Sequence, residues 1–334
     1  MKQTLSKQAR LDDVARLAGV SSATVSRFFN NPDVVAAATA ERIRTAVDQI
    51  GYVPNLLAGG LATNRSRLVA ALVPHLTNSI FAETVEAMVG ELSAEGYTVM
   101  LGVTGLIDQT LDAQIQNALA RRADTIIITG IVTDDEVRNR LKRSNATIIE
   151  TWGLPEYPID VAIGFSHEDV GVEIARFINT RGYQRPHLLS ARSKRAMIRR
   201  DSLCREWSKF SNNEPTETLL DIPVHFGRAR GAFAEIRRLD PMPDIVVCGS
   251  DSLAQGIIVE AKSVGLRVPD DLAVIGFGNS MIAGEMRPTI TSVEIDGARI
   301  ARVTAEVMKK RATGQSQDEN KIDIGFRIVA RESA

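Results

Sequence analysis

The chain has 334 residues, 44% of them hydrophobic, with a formal net charge of -1; that is enough apolar material for a real core and too much length for one small domain. Residues 1–67 hold nine Lys or Arg against five Asp or Glu, a net of +4, so the remaining 267 residues carry -5, and a basic head on an acidic body points to a polyanion-binding module attached to something else. No run of eighteen apolar residues exists, which excludes a membrane-spanning helix. Cys204 and Cys248 have neither metal-ligand spacing nor a disulfide framework, so a reduced compartment fits. The opening MKQTLSKQAR lacks the apolar segment of a secretory signal, and a cytoplasmic location is expected.

Taken in chain order, Leu11, Val14, Ala15 and Ala18 recur at helical spacing, and Gly19 breaks that helix. Ser21 or Ser22 can cap a second helix carrying Val25, Phe28 and Phe29, ended by Asn30-Asn31-Pro32. A third helix is predicted over 37–50, stopped by Gly51. The short break between the first two helices is the spacing of a helix-turn-helix. After Pro54, residues 56–63 suit two helical turns weakened by Gly59 and Gly60, each unfavourable by roughly 1 kcal/mol against Ala.

From Leu68 the period changes. Strands are expected at 68–73, 97–103, 125–129, 147–149 and 161–165, with helices at 79–95 and 108–122. The rhythm repeats with strands at 187–190, 245–249 and 272–277, and helices near 168–181, 195–209, 226–239 and 251–264. Alternation of short β-branched runs with longer helices predicts parallel sheets in two α/β lobes. A polar tract at 312–321 precedes a final strand expected at 322–329.

No phosphate-binding loop, HExxH, CxxC or GxSxG constellation occurs, and the four histidines lack metal-ligand spacing. No catalytic residue, metal or cofactor is expected: the chain should bind and switch. A sugar-binding protein without a DNA role is the alternative, and an enzyme on a doubly wound sheet is a second.

The stretch LDDVARLAGVSSATVSRFFNNPDVV (11–35) followed by AVDQIGYVPNLLAGGLA (46–62) resembles the head of the LacI/GalR family of bacterial repressors. The likeness continues through LVPHLTNSIFAET (72–84), GSDSLAQG (249–256), GLRVPDDLAVIGFGN (265–279) and RPTITSVEID (287–296). The segments at 150–169, 276–279 and 325–333 look closest to the branch of gluconate-operon repressors. The resemblance implies an all-α helix-turn-helix head (1–54), a hinge helix and linker (55–67), and a core (68–334) of two Rossmann-like lobes of the periplasmic-binding-protein type. The lobes are expected at about 68–161 plus 293–321 and about 162–292 plus 322–334, and two chains would form a homodimer on double-stranded operator DNA.

The second helix of a helix-turn-helix enters the major groove. By resemblance Ser22 and Ala23 match the specificity positions and Arg27 a base- or phosphate-contacting arginine. Ser21, Thr24, Ser26 and Asn30 are candidates for phosphate contacts. Asn55 is a candidate hinge cap, and Leu61 matches a leucine wedged into the minor groove. For the effector, the resemblance points to His75, Ser79 and Phe81, to Trp152, Phe165 and His167, to Asp251 and Asn279, and to Arg199, with Arg200 as its competitor. Ser202 stands where the family's arginine motif has a glycine. Few carboxylates at the family's ligand positions suit a negatively charged effector, and a sugar acid such as gluconate, or a keto or phosphorylated form, is expected.

Overall fold

The computed structural model describes residues 9–54, 66–76, 79–105, 108–222, 224–315 and 319–334. The expected hinge, with Asn55 and Leu61, lies outside the described residues, as do the side chains of Asn30 and Ser79. The chain divides into two compact units, Met1–Arg67 and Leu68–Ala334.

In the first unit, α1 (Leu11–Ala18), α2 (Ser22–Asn30) and α3 (Ala37–Ile50) surround a small core. Val14, Val25 and Ile43 are fully enclosed there, one from each helix. Gly19 closes α1 in left-handed backbone at φ +65°, and Gly51 closes α3 at +60°. That conformation is open to glycine without a Cβ penalty. Ser21 caps α2, its Oγ accepting from Thr24 N at 3.2 Å.

The second unit holds two six-stranded sheets. The first has the order β11-β5-β4-β3-β1-β2, with β1 (Leu68–Val73), β2 (Thr98–Val103), β3 (Thr125–Thr129), β4 (Thr147–Thr151), β5 (Val161–Gly164) and β11 (Lys321–Asp323). The second has the order β12-β10-β9-β8-β6-β7, with β6 (Pro186–Ala191), β7 (Thr216–Leu220), β8 (Ile245–Cys248), β9 (Ala273–Gly278), β10 (Thr291–Glu294) and β12 (Arg327–Val329). Every pairing is parallel except that of β10 with β12. Strand alternation divides the core. Val69 and Ala71 enter one apolar cluster and Ala70 and Leu72 another, so both faces of the first sheet are covered. Ile245 and Val247 against Val246 and Cys248 do the same for the second.

The chain passes between the lobes three times, and the sheets move the expected borders by a few residues. The strand at 161–164 belongs to the first sheet, and the pair 293–294 belongs to the second. The single strand expected at 322–329 is two short strands, one in each sheet. Hydrophobic pattern cannot separate these cases, because both sheets bury strands of the same composition.

Helices α4 (Ser79–Ala94), α5 (Asp108–Ala120) and α6 (Asp135–Lys142) accompany the first sheet. In the second lobe α7 (His167–Thr180) lies along α8 (Lys194–Trp207), with α9 (Arg228–Ile236), α10 (Asp251–Ser263) and the short α11 (Met281–Glu285) beyond them. The last helix, α12 (Gly297–Ala312), returns to pack on α4. Contact between α7 and α8 depends on Gly171. A Cβ there would stand 2.1 Å from Ser202 Oγ and 2.3 Å from the Arg199 carbonyl oxygen. Ser202 fits because its hydroxyl turns back onto its own helix, donating to the carbonyls of Ile198 or Arg199.

Gly171→Ala is therefore expected to destabilise. Alanine is the better helix former by about 1 kcal/mol, but overpacking a tight contact costs about 1–3 kcal/mol. A thermal unfolding midpoint lowered by several degrees is the expected result, and a raised midpoint would show that the helices part freely.

Candidate functional site

Two places carry functional side chains. In the head, α2 turns Val25 inward and leaves Ala23 and Arg27, four residues apart, exposed on one face. Ser21 is exposed and tied to Thr24, their hydroxyls 2.9 Å apart. Ser22 donates its hydroxyl to Asp12 Oδ1 of α1 at 2.6 Å. Its hydrogen is thereby committed, while lone pairs remain to accept a bond. Thr24 and Ser26 are half-buried.

In the core, the ends of β1, β4, β6 and β8 meet the starts of α4, α7, α8 and α10 at a cleft between the lobes. Binding sites of open α/β sheets lie at such strand ends. The first lobe supplies His75, Phe81 and Trp152; the second supplies His167, Arg195 and Arg199. Edge-to-face rings run across it: His75 on Phe81 at 5.8 Å between centroids, Phe81 on Trp152 at 5.2 Å, Trp152 on Phe165 at 6.0 Å, and Phe165 on His167 at 4.6 Å. Trp152 leaves β4 with φ +64°. Such backbone in a bulky residue is strained by about 1–3 kcal/mol and clusters at functional sites.

The Trp152 carbonyl accepts from His167 Nε2 at 3.0 Å and, weakly, from an Arg195 Nη at 3.5 Å. A carbonyl only accepts, so Nε2 carries the imidazole proton and Nδ1 accepts from an Arg199 Nη at 3.0 Å. Burial, reinforced by the charges of Arg199 and Arg195, pulls His167 from 6.5 down to about 2 and keeps it neutral. His75 is lowered for the same reasons, burial first and Arg195 second. Burial lowers Arg195 to about 10; burial and then the Arg195 charge lower Arg199 to about 9. Both guanidiniums stay charged at neutral pH. Arg199 lies over the Phe277 ring at 4.2 Å and Arg195 over Phe81 at 5.4 Å, cation–π contacts that hold them in the cleft.

Not every expected residue joins them. Arg200 is held at the surface by a two-pronged pair with Glu217, at 2.9 and 2.8 Å, and by Asp201. Of the two competing arginines it is thus Arg199 that faces the cleft. Asp251 is buried within the second lobe, accepting from Ser280 N, Ser280 Oγ and Ser292 Oγ at 2.7, 2.9 and 2.6 Å. It joins α10 to the strand ends and does not line the cleft. Asn279 bridges Glu294 and Arg331 and faces a separate cavity of about 730 Å³ beside the crossovers. Glu83, Glu294, Asp296 and Arg327 line that cavity, Arg327 pairing with Glu294, so its lining carries more acids than bases. Phe165 is wholly enclosed behind Trp152. Ser79 starts α4. Arg195 was missed from sequence. The usable signal was its i,i+4 spacing to Arg199, which places both on one helix face.

Among the described residues no group of three or more His, Cys, Asp or Glu is placed to hold a metal ion, and no helix is long and apolar enough to cross a membrane.

The neutral His167 makes stability depend on pH. Its folded pKa lies below its unfolded value, so the unfolded chain takes up the proton first. Stability should fall as pH drops below about 6.5, by roughly 1.4 kcal/mol per unit from this group. His167→Gln can reproduce both hydrogen bonds without titrating. Urea midpoints of the variant should change less between pH 7 and pH 5 than those of the wild type; equal changes would contradict a buried neutral imidazole.

Residues 10–55 match the family described as bacterial regulatory proteins, lacI family, and residues 174–334 match the periplasmic binding protein-like domain. The chain is 30% identical over 325 residues to the HTH-type transcriptional regulator GntR of Pseudomonas aeruginosa, covering 97% of this chain and 95% of that one. It is 28% identical over 329 residues to the HTH-type transcriptional repressor PurR of Vibrio atlanticus, covering 97% and 98%. A LacI-family transcriptional regulator from Silicibacter pomeroyi has a similar structure, with TM-score 0.89 at 25% identity over 97% of this chain and 99% of that one. With a helix-turn-helix head and a two-lobed α/β core now in place, the chain belongs to the lacI family of bacterial regulatory proteins and is a DNA-binding transcriptional regulator.

Proposed function

We propose that this regulator is a repressor, acting as a homodimer, whose hold on its operator is set by an anionic sugar acid bound between the lobes of the core. The observation that carries the effector half is a cleft offering two guanidiniums with no carboxylate among its described lining residues. An acid there supplies the charge that the walls lack, and Arg matches a carboxylate with two parallel donors. The name of a relative, a transcriptional repressor, supports the sign of regulation, and the likeness to the gluconate-operon branch supports a sugar acid.

On the DNA side, Arg27 is the base reader, able to pair bidentately with guanine. Ala23 offers a methyl to thymine, and Ser22, with its hydrogen committed to Asp12, accepts from a base amino group. Ser21, Thr24, Ser26 and Asn30 contact phosphates. Leu61 is the minor-groove wedge and Asn55 the cap of its helix. The effector shifts the operator equilibrium only through different affinity for the bound and free states.

The test is operator binding on a near-palindromic duplex, with and without sugar acids. Specific binding should fall with a slope of several on log salt, and at least one acid should change the operator affinity. Equal affinity for random duplex would sink the repressor reading, and a flat response to every acid would sink the effector class. Arg27→Ala should weaken specific binding roughly tenfold or more, with a smaller effect on random duplex. Arg199→Gln should abolish the response to the acid, whereas Arg200→Gln should keep it; the reverse result would move the effector site to the outer face of α8.

A further inference from the structure

Resting on the reading of the cleft as an anion site, we infer that the effector is a sugar-derived acid with an anionic group at each end, one held by Arg199 and the other by Arg195.

The two arginines are four residues apart on α8, about 6 Å along the helix axis. They are not one clamp. Arg199 is anchored on the second lobe by the Phe277 ring and by Nδ1 of neutral His167. Arg195 reaches across to the first lobe, over Phe81 and toward the Trp152 carbonyl. The two guanidiniums are therefore held against rings of different lobes, Arg195 over Phe81 and Arg199 over Phe277. Among the described residues the acceptor of Arg195 is a carbonyl at 3.5 Å, the outer limit of a hydrogen bond, and that of Arg199 is an uncharged imidazole nitrogen.

On α8 and at the start of α10 the acids are engaged elsewhere. Asp201 pairs with Arg200, Glu206 with Arg176 and Lys209, and Asp251 with two serines. Two helix starts add to the positive field. Ser193 caps α8 and Ser250 caps α10, and both line the cleft. Burial lowers both arginines without discharging them at neutral pH. An acid charged at one end pairs with one of two desolvated cations and leaves the other without a partner; an acid charged at both ends pairs with both.

Calorimetric titration of the full-length chain decides this with five probes: glucose, gluconate, glucose 6-phosphate, glucarate and 6-phosphogluconate. The last two carry anionic groups at both ends, as two carboxylates or as a carboxylate and a phosphate, and their order identifies the second group. At least one of them should bind tenfold or more tighter than gluconate and than glucose 6-phosphate. Arg195→Gln should reduce that affinity at least tenfold and gluconate affinity by a smaller factor, and Arg195→Lys, which keeps the charge, should restore most of it. Gluconate binding as tightly as both two-ended acids, equal losses for gluconate and the tighter two-ended acid in Arg195→Gln, or no binding by any probe would overturn the inference. Tightest binding by gluconate would leave the sugar-acid reading standing, whereas tightest binding by neutral glucose would remove both.

Discussion

One uncharged imidazole joins the two lobes to the arginine that faces the cleft. His167 donates from Nε2 to the Trp152 carbonyl of the first lobe and accepts at Nδ1 from Arg199 of the second. A proton on Nδ1 would turn that acceptor into a donor and set two cations 3.0 Å apart. Burial prevents it, because a charged imidazole loses more hydration there than it regains. The position of the ring depends in turn on α7, whose first residue it is, and α7 can lie against α8 only because Gly171 has no side chain. A missing methyl group one turn along the helix thus helps fix where the guanidinium points.

The same economy of polar groups runs through both units. Buried carboxylates are consumed by the scaffold: Asp251 by serines and a backbone N–H, and Glu150 by the backbone N–H groups of Val132 and Ile159. In the head, Ser22 is tied to Asp12. Arg27 is left exposed on the face of α2, and Arg195 and Arg199 are the charged side chains that α8 brings to the cleft. Both sites therefore present guanidinium groups.

Much of this was legible beforehand. The three head helices, their glycine stops and the serine cap follow from local chemistry, and the structure has them at the expected residues. The strongly apolar strands were legible too. Helix α6, with its charged DEVRNRLK, and the half-exposed strand β7 carry weak patterns and went unassigned, as did α11, β10 and α12. The cleft was read in part. His75, Phe81, Trp152, His167 and Arg199 come together there, but Asp251 and Asn279 are absorbed by hydrogen bonds to β10 and to the final residues, partners 15 to 52 positions away in sequence. No local signal marks such a partner.

By itself the sequence determined the three head helices, the strongly apolar strands with most of their helices, and the basic head, because these depend on neighbours within a turn or two. Only the tertiary structure decided which sheet each crossing strand enters, since both sheets accept the same β-branched residues. It also decided that Arg199 rather than Arg200 enters the cleft. Four residues of helix separate Arg195 from Arg199 and one separates Arg199 from Arg200, yet Glu217 on a strand of the second sheet holds Arg200 at the surface. A side chain's partner across space, not its place in the chain, settles whether its charge is left for a ligand.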